Sequence, residues 1–238
     1  MSAHPRLPGL KVASRANVEP FIVMNVFAAA NARTAAGADV IHMEVGEPGG
    51  GPPAAVLAAA RQALGRLPLG YTEALGRPQL RAAIAGHYDQ LYGLAVDPGQ
   101  VVVTVGASGA FVLAFLAAFD PGDRVVVPEP AFPVYKNTLR ALGVEVVRLG
   151  LGPNTAFKPT IAMLEAIEGP VHGLLVASPA NPTGMMLEPN EVAAIARFCE
   201  ERGLRLIADE VYHGIAYGPR ASSVLACARD AIVINRYA

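Results

Sequence analysis

Lysine is scarce in this sequence of 238 residues. Lys11, Lys136 and Lys158 are the only lysines, none follows position 158, and arginine supplies the rest of the positive charge. Cysteine is scarcer: only Cys199 and Cys227 are present. Two isolated cysteines in a chain this long are expected as reduced, buried thiols of a cytoplasmic protein, not as a disulfide framework. Charge of either sign is thin, at 16% of residues, and 19 Lys+Arg against 20 Asp+Glu leave a net charge of -1. No basic block stands out, so neither nucleic acid nor an anionic membrane surface is expected as a partner. Histidines 4, 42, 87, 172 and 213 form no close pair at metal-ligand spacing, which argues against a zinc site. Long apolar runs are missing as well. The longest, Ala110 to Phe119, is too short to cross a bilayer, and Met1 to Pro20 lacks the apolar core of a secretory signal.

What is present is a chain with 53% hydrophobic residues, the composition of a folded protein with a sizeable core. Residues 17–36 carry helical periodicity, and a short strand is expected at Val40–Val45. The segment Gly46-Glu47-Pro48-Gly49-Gly50-Gly51-Pro52-Pro53 is the sharpest break in composition and marks the exit from an N-terminal arm. Helices are expected at 54–65 and 78–92. From residue 100 onward short β-branched runs alternate with amphipathic helices. The runs are Val101–Val105, Arg124–Val127, Glu145–Leu149, Gly173–Ala177, Arg205–Ala208 and Ala231–Asn235; the helices are 108–119, 133–142, 160–168 and 190–202. Strands without in/out alternation, spaced by helices, predict an α/β fold with a mostly parallel sheet covered on both faces, three layers in all. Ligands of such sheets bind outside the carboxyl ends of the strands.

Each residue with chemical potential sits just after one of these runs. Val105-Gly106-Ala107-Ser108-Gly109-Ala110 opens a helix, and small residues with free N–H groups at a helix start suit a phosphate. A Ser N-cap in a tight turn reads the same way. The segment is neither a GxGxxG nor a Walker loop, so neither a dinucleotide nor ATP is indicated. In Pro128-Glu129-Pro130-Ala131-Phe132-Pro133-Val134-Tyr135, the ring of Phe132 suits stacking on a planar cofactor, or equally a hydrophobic staple at the helix start. Ser178-Pro179-Ala180-Asn181-Pro182-Thr183-Gly184 is a rigid turn that holds the Asn181 amide at a strand end, for binding or for turn geometry alone. In Ala208-Asp209-Glu210-Val211-Tyr212, Asp209 is a carboxylate at the lip of a core strand and needs a cation or strong donors; a structural ion pair would also satisfy it.

Taken together, the order of these four segments resembles the class I/II (fold-type I) pyridoxal-phosphate-dependent aminotransferases. Tyr71 with Gly76-Arg77-Pro78-Gln79-Leu80-Arg81 is similar to that family's Tyr…Gly-x-x-x-Leu-Arg segment, and Val45-Gly46-Glu47-Pro48 to its Gly-x-Pro loop. The resemblance covers nearly the whole chain. It implies an N-terminal arm with part of the small domain over residues 1–50, and an incomplete pyridoxal-phosphate-binding large domain over 51–238. It further implies that Ala107, Ser108 and Gly109 hold the cofactor phosphate, that Phe132 stacks on the pyridine ring, and that Asn181 and Tyr212 bond to its phenolic oxygen. Asp209 would pair with the pyridine nitrogen, with Asp209 and Tyr212 as catalytic groups. Gly46 and Asn181 would face the substrate. Tyr71 would reach the phosphate of a neighbouring subunit, which implies a homodimer. The implied reaction moves an amino group between an amino acid and a 2-oxo acid.

The departures from the family pattern are also specific. After Ala231-Ile232-Val233-Ile234-Asn235 the family has a Ser-Phe-Ser-Lys-like segment; here Arg236-Tyr237-Ala238 follows, and the Schiff-base lysine would be the next residue. Lys136, one helical turn beyond Phe132, is not placed to replace it. A later antiparallel strand that the family inserts beside the first strand is missing too, which predicts unpaired edges and association. The expectation is therefore a truncated aminotransferase, or alternatively a non-catalytic fragment that binds the cofactor weakly or associates with an intact subunit. In either case Asp209, Tyr212 and Asn181 are expected to converge with the Ala107–Gly109 turn.

Overall fold

The computed structural model describes residues 10–46 and 50–237. By their contacts these fall into two units, one of Pro20–Arg77 and one that joins the N-terminal segment up to Glu19 with the chain from Pro78 onward. The Pro20–Arg77 unit holds helices α1 (Ile22–Ala35) and α2 (Ala54–Arg66). The strand expected at Val40–Val45 is not formed. His42 instead lies 3.0 Å from Thr34 Oγ1 and 2.7 Å from Glu44 Oε1. A strand is stable only with a ladder partner, and among the described residues nothing pairs with this segment.

The larger unit begins with α3 (Pro78–Tyr92), which starts on a proline, whose fixed φ and missing N–H suit the first helical position. It continues with α4 (Gly106–Ala118), β1 (Arg124–Glu129), α5 (Val134–Ala141), β2 (Glu145–Gly150), α6 (Ile161–Glu165), β3 (Gly173–Ala177), α7 (Pro189–Arg202), β4 (Arg205–Asp209) and β5 (Ile232–Ile234). The five strands form one parallel sheet in the order β2-β1-β3-β4-β5. Helix termini follow from local chemistry. Thr160 accepts the Met163 N–H ahead of α6. Glu188 and Glu191 form a capping box on α7. Gly203 ends α7 with φ +65°, a left-handed conformation that a side chain disfavours.

Successive strand residues point to opposite faces, and both faces are buried. Val126, Leu174, Val176, Leu206 and Ala208 pack with α6 and α7 side chains such as Leu164, Ile195 and Phe198. Val125, Val127, Leu175, Ile207 and Ile234 pack with Phe111 and Phe115 of α4 and Tyr135 and Leu139 of α5. The three-layer α/β arrangement is the one expected, with a sheet that is wholly parallel.

Two further sequence expectations differ from the structure. Val101–Val105 has strand composition but joins no ladder among the described residues. β-branched content favours a strand only where a neighbour is there to pair with. Val102 and Val105 are left exposed, as are Leu113 and Leu116 on the outer side of α4. The second correction concerns the thiols. Both are free, but only Cys199 is buried, and burial pushes its thiol up to about 12; Cys227 is exposed. Among the described residues no helix is long and apolar enough to cross a membrane, and no group of His, Cys, Asp or Glu is arranged to hold a metal.

Candidate functional site

Register brings three loops to one end of the sheet. Ala177 of β3 and Ile234 of β5 both lie opposite Asp209 at the end of β4. The loop after β3 is sewn to that point by the Ser178 N–H, which donates to the Asp209 carbonyl at 3.1 Å. The loop after β1 leads through Phe132 into α5.

Asp209 is buried, at 6% exposure. Its carboxylate accepts the Tyr135 hydroxyl and, at 3.0 Å, the Val211 N–H. None of the ion pairs among the described residues includes it. Burial raises its pKa, and the two hydrogen bonds offset only part of that rise. A buried carboxylate without a cation is costly unless a positive group is supplied. Tyr135 is itself buried, packed edge-on to Phe111 at 4.9 Å and to Phe132 at 5.6 Å between ring centroids. Its hydroxyl is pushed well above the usual phenol range, first by burial and then by the charge of Asp209. Neutral and hydrogen-bonded, it donates to Asp209 and holds that carboxylate in place.

Asn181 and Tyr212 form a second pair. The Asn181 Nδ2 donates to the Tyr212 hydroxyl at 3.3 Å. The turn carrying Asn181 is closed by the Gly184 N–H to Ala180 carbonyl bond at 2.7 Å and the Ala180 N–H to Met185 carbonyl bond at 2.9 Å. Asn181 and Tyr135 line the same cleft, together with Pro130 and Ala131.

Ala107, Ser108 and Gly109 sit in the first turn of α4. Gly106 opens that turn at φ +69°, a region glycine enters without strain. The residue at the N-cap, Val105, has no polar side chain to cap the turn, and the Gly106 N–H is on the Thr104 carbonyl at 2.9 Å; the N–H groups that follow it keep their capacity to bind an anion at the positive end of the helix. Ser108 is exposed, and Ala107 packs against the same cluster as Phe132 and Tyr135.

Of the residues expected to act together, the structure thus links Asp209 with Phe132 through Tyr135, links Asn181 with Tyr212, and sets Ala107 on the cluster beneath Phe132. Tyr71 and Gly46 belong to the other unit; both are exposed. Glu47, Pro48 and Gly49 of the Gly46 loop lie outside the described residues, as do Met1–Gly9 of the arm and Ala238. Lys136 pairs with Glu19 at 3.1 Å and Lys158 with Glu191 at 2.8 Å.

Three polar residues of this region have no role in the reading from sequence: Tyr135, Glu210 and His213. Tyr135 lies in the first turn of α5, just after the loop that carries Phe132, and nothing local in the sequence marks its bond to Asp209.

Comparisons with known proteins bear directly on this arrangement. The family model "Aminotransferase class I and II" matches residues 38–235. A valine–pyruvate aminotransferase of Mycobacterium tuberculosis is 49% identical over 229 residues, covering 95% of this chain and 59% of that protein. An aspartate aminotransferase of Streptomyces avermitilis is 37% identical over 195 residues, covering 81% of this chain and 48% of its own. Among solved structures, an aminotransferase from Mycobacterium tuberculosis superposes with a TM-score of 0.91 at 49% identity, covering 94% of this chain and 59% of the other. The aspartate aminotransferase of Thermus thermophilus with maleate also gives 0.91, at 31% identity, covering 95% and 60%. The chain therefore spans no more than about three fifths of the length of these relatives. With a family model matched over most of its length and a fold shared at this level, the chain belongs to the class I and II aminotransferases.

Proposed function

We propose that this chain is the major part of the cofactor-binding half of a pyridoxal-phosphate-dependent aminotransferase, which moves an amino group from an amino acid to a 2-oxo acid. The observation that carries the reading is Asp209: a carboxylate buried at a strand end and fixed by a tyrosine, in none of the ion pairs among the described residues. A pyridinium N–H supplies the missing positive partner, so the residues present fit the group. The uncapped first turn of α4 fits it too, because its N–H groups have no side-chain acceptor and suit a phosphate.

Bound pyridoxal phosphate supplies an electron sink for the charge that develops when an amino acid gives up its α-proton. The rest is the work of this chain's residues. Asp209 would accept the ring N–H and, by staying ionised next to it, would keep the ring protonated. Tyr135 holds Asp209 in place. Phe132 would stack on the ring. Asn181 and Tyr212 would hold the ring oxygen, and the backbone of Ala107, Ser108 and Gly109 with the Ser108 hydroxyl would hold the phosphate. Asn181 and Gly46 would face the substrate. Tyr71 would reach the phosphate bound in a second copy, which makes the proposed working form a homodimer. The free thiols of Cys199 and Cys227 favour a cytoplasmic protein. Likeness to a valine–pyruvate aminotransferase makes valine with pyruvate the first pair to assay.

A second reading is favoured by the lysines. With Lys136 held by Glu19 and Lys158 by Glu191, the chain alone binds the cofactor without turnover, or works only beside an intact subunit. One experiment addresses both. Pyridoxal phosphate is added to the purified chain, binding is followed by absorbance, and the mixture is reduced with borohydride and mapped by mass spectrometry. Saturable binding that D209A abolishes supports the cofactor reading; no binding overturns it. A single labelled lysine with valine–pyruvate turnover favours the enzyme. Binding with neither labelling nor turnover favours the second reading.

A further inference from the structure

A second buried polar cluster stands behind the residues assigned above. Glu210 is 2% exposed. Its Oε1 accepts the Ser223 hydroxyl at 3.0 Å and the Val224 N–H at 2.7 Å, while its Oε2 has no hydrogen-bond partner. His213 lies one helical turn on, with its N–H on the Glu210 carbonyl at 3.0 Å. The imidazole is held on both sides. Nδ1 is 2.7 Å from the Tyr92 hydroxyl of α3 and 3.6 Å from Glu210 Oε2; Nε2 is 2.9 Å from the Ser178 carbonyl oxygen.

A carbonyl oxygen only accepts, so Nε2 carries a proton and donates it to Ser178. The ring is nearly enclosed, and burial lowers its proton affinity against the opposing pull of that carbonyl. The neutral ring then leaves Nδ1 bare, to accept from Tyr92. The tautomer follows from the partners.

The consequence lies in what Ser178 and His213 carry. Ser178 starts the turn that ends in Asn181. His213 is the residue after Tyr212. Ser178 is held at three atoms: its N–H on the Asp209 carbonyl, its Oγ accepting the Leu187 N–H at 2.9 Å, and its carbonyl on His213. Of these bonds, the one to His213 is the side-chain tie between the turn after β3 and the turn after β4. We propose that His213 is a positioning residue, which through Nε2–H locks the Ser178–Asn181 turn to the Tyr212 turn and so sets the approach of the Asn181 amide to the Tyr212 hydroxyl. Its consequence for cofactor affinity rests on the function proposed above; its geometry does not.

The full chain labelled with 15N-histidine, with the His213 signals assigned from their loss in H213Q, gives the first test. Nε2 is expected in the protonated range and Nδ1 in the unprotonated range at neutral pH; the reverse pattern, or a doubly protonated ring, overturns the proposal. The second test separates Nε2 from Nδ1 by substitution. Glutamine places an amide near Nε2, asparagine near Nδ1, and leucine offers neither. The side-chain amide signal of Asn181, assigned from N181A, is expected to stay in place in H213Q and to move in H213N and H213L. Equal shifts in all three, or none, overturn the tie whether or not cofactor binds. Where the wild-type chain binds pyridoxal phosphate, H213Q is expected to bind within about threefold of it. H213N and H213L are expected to bind about tenfold more weakly, the worth of one buried hydrogen bond. Equal affinity in all variants overturns the proposal, whereas a wild-type chain that fails to bind overturns only the cofactor reading.

Discussion

Glu210 makes the stability of this protein depend on pH with a sign opposite to that of an ordinary paired carboxylate. Its pKa rises from 4.5 to about 7, because burial disfavours the charged form more than the Val224 N–H and the Ser223 hydroxyl favour it, with Asp209 adding repulsion. The folded state therefore holds this proton more tightly than the unfolded chain does. Stability from this source is complete below pH 4.5 and is lost as pH rises through about 7. At about 1.4 kcal/mol for each tenfold change, the loss is about 3 kcal/mol, a large part of the net stability of a domain. Asp209, also raised by burial, acts in the same direction. His213 is lowered by burial and acts in the other: its contribution is present above the unfolded value and is lost as pH falls. The informative quantity is thus the difference between wild type and Glu210→Gln, which removes one titration and keeps the shape. Urea unfolding followed by far-UV circular dichroism at several pH values between about 5 and 8 measures it. Wild type relative to E210Q is expected to lose about 2–3 kcal/mol across that interval, most of the full effect. A difference that stays flat, or one that grows with pH, would refute the assignment of the proton to Glu210.

Asp209→Asn keeps an acceptor for Tyr135 but removes the charge that awaits a cation. The apo chain is expected to keep its stability within about 1 kcal/mol, while pyridoxal phosphate affinity, read by absorbance titration, falls at least about tenfold. Gly173→Ala would place a Cβ against the Phe119 ring, well inside van der Waals contact, and 3.0 Å from the Arg205 carbonyl oxygen. A loss of about 1–3 kcal/mol in urea unfolding is expected from that overpacking, and an unchanged midpoint would count against the packing described. Leu113 and Leu116, at 53% and 58% exposure on the outer side of α4, leave apolar surface uncovered. Size-exclusion chromatography is expected to show association that the double variant L113K/L116K reduces; a compact wild-type monomer would contradict this.

The layers of this fold were legible because their signals are local. Arg124–Val127, Glu145–Leu149, Gly173–Ala177 and Arg205–Ala208 are short, β-branched and bounded by breaker residues, and each became a strand within one or two residues of its expected ends. Helices 54–65 and 78–92 were equally plain, since Pro53 and Pro78 start them and Gly93, at φ +67°, follows the second. Val101–Val105 misled because strand formation is not local: the run has the composition but no neighbour to pair with. The same distinction separates the parts of the candidate site. Phe132, Asn181, Asp209 and Tyr212 could be picked out because each follows a strand in a turn rich in proline or acidic residues. The bonds that hold them could not. Tyr135 and Asp209 stand 74 positions apart, and Tyr92 and His213 stand 121 apart. Their meeting depends on β3 lying between β1 and β4 and on where α3 packs, and periodicity carries neither fact. A lone histidine after Tyr212 carries no signal of its own in the sequence. It gains a function only when the order of strands sets the Ser178 carbonyl against one of its nitrogens and α3 sets a phenol against the other.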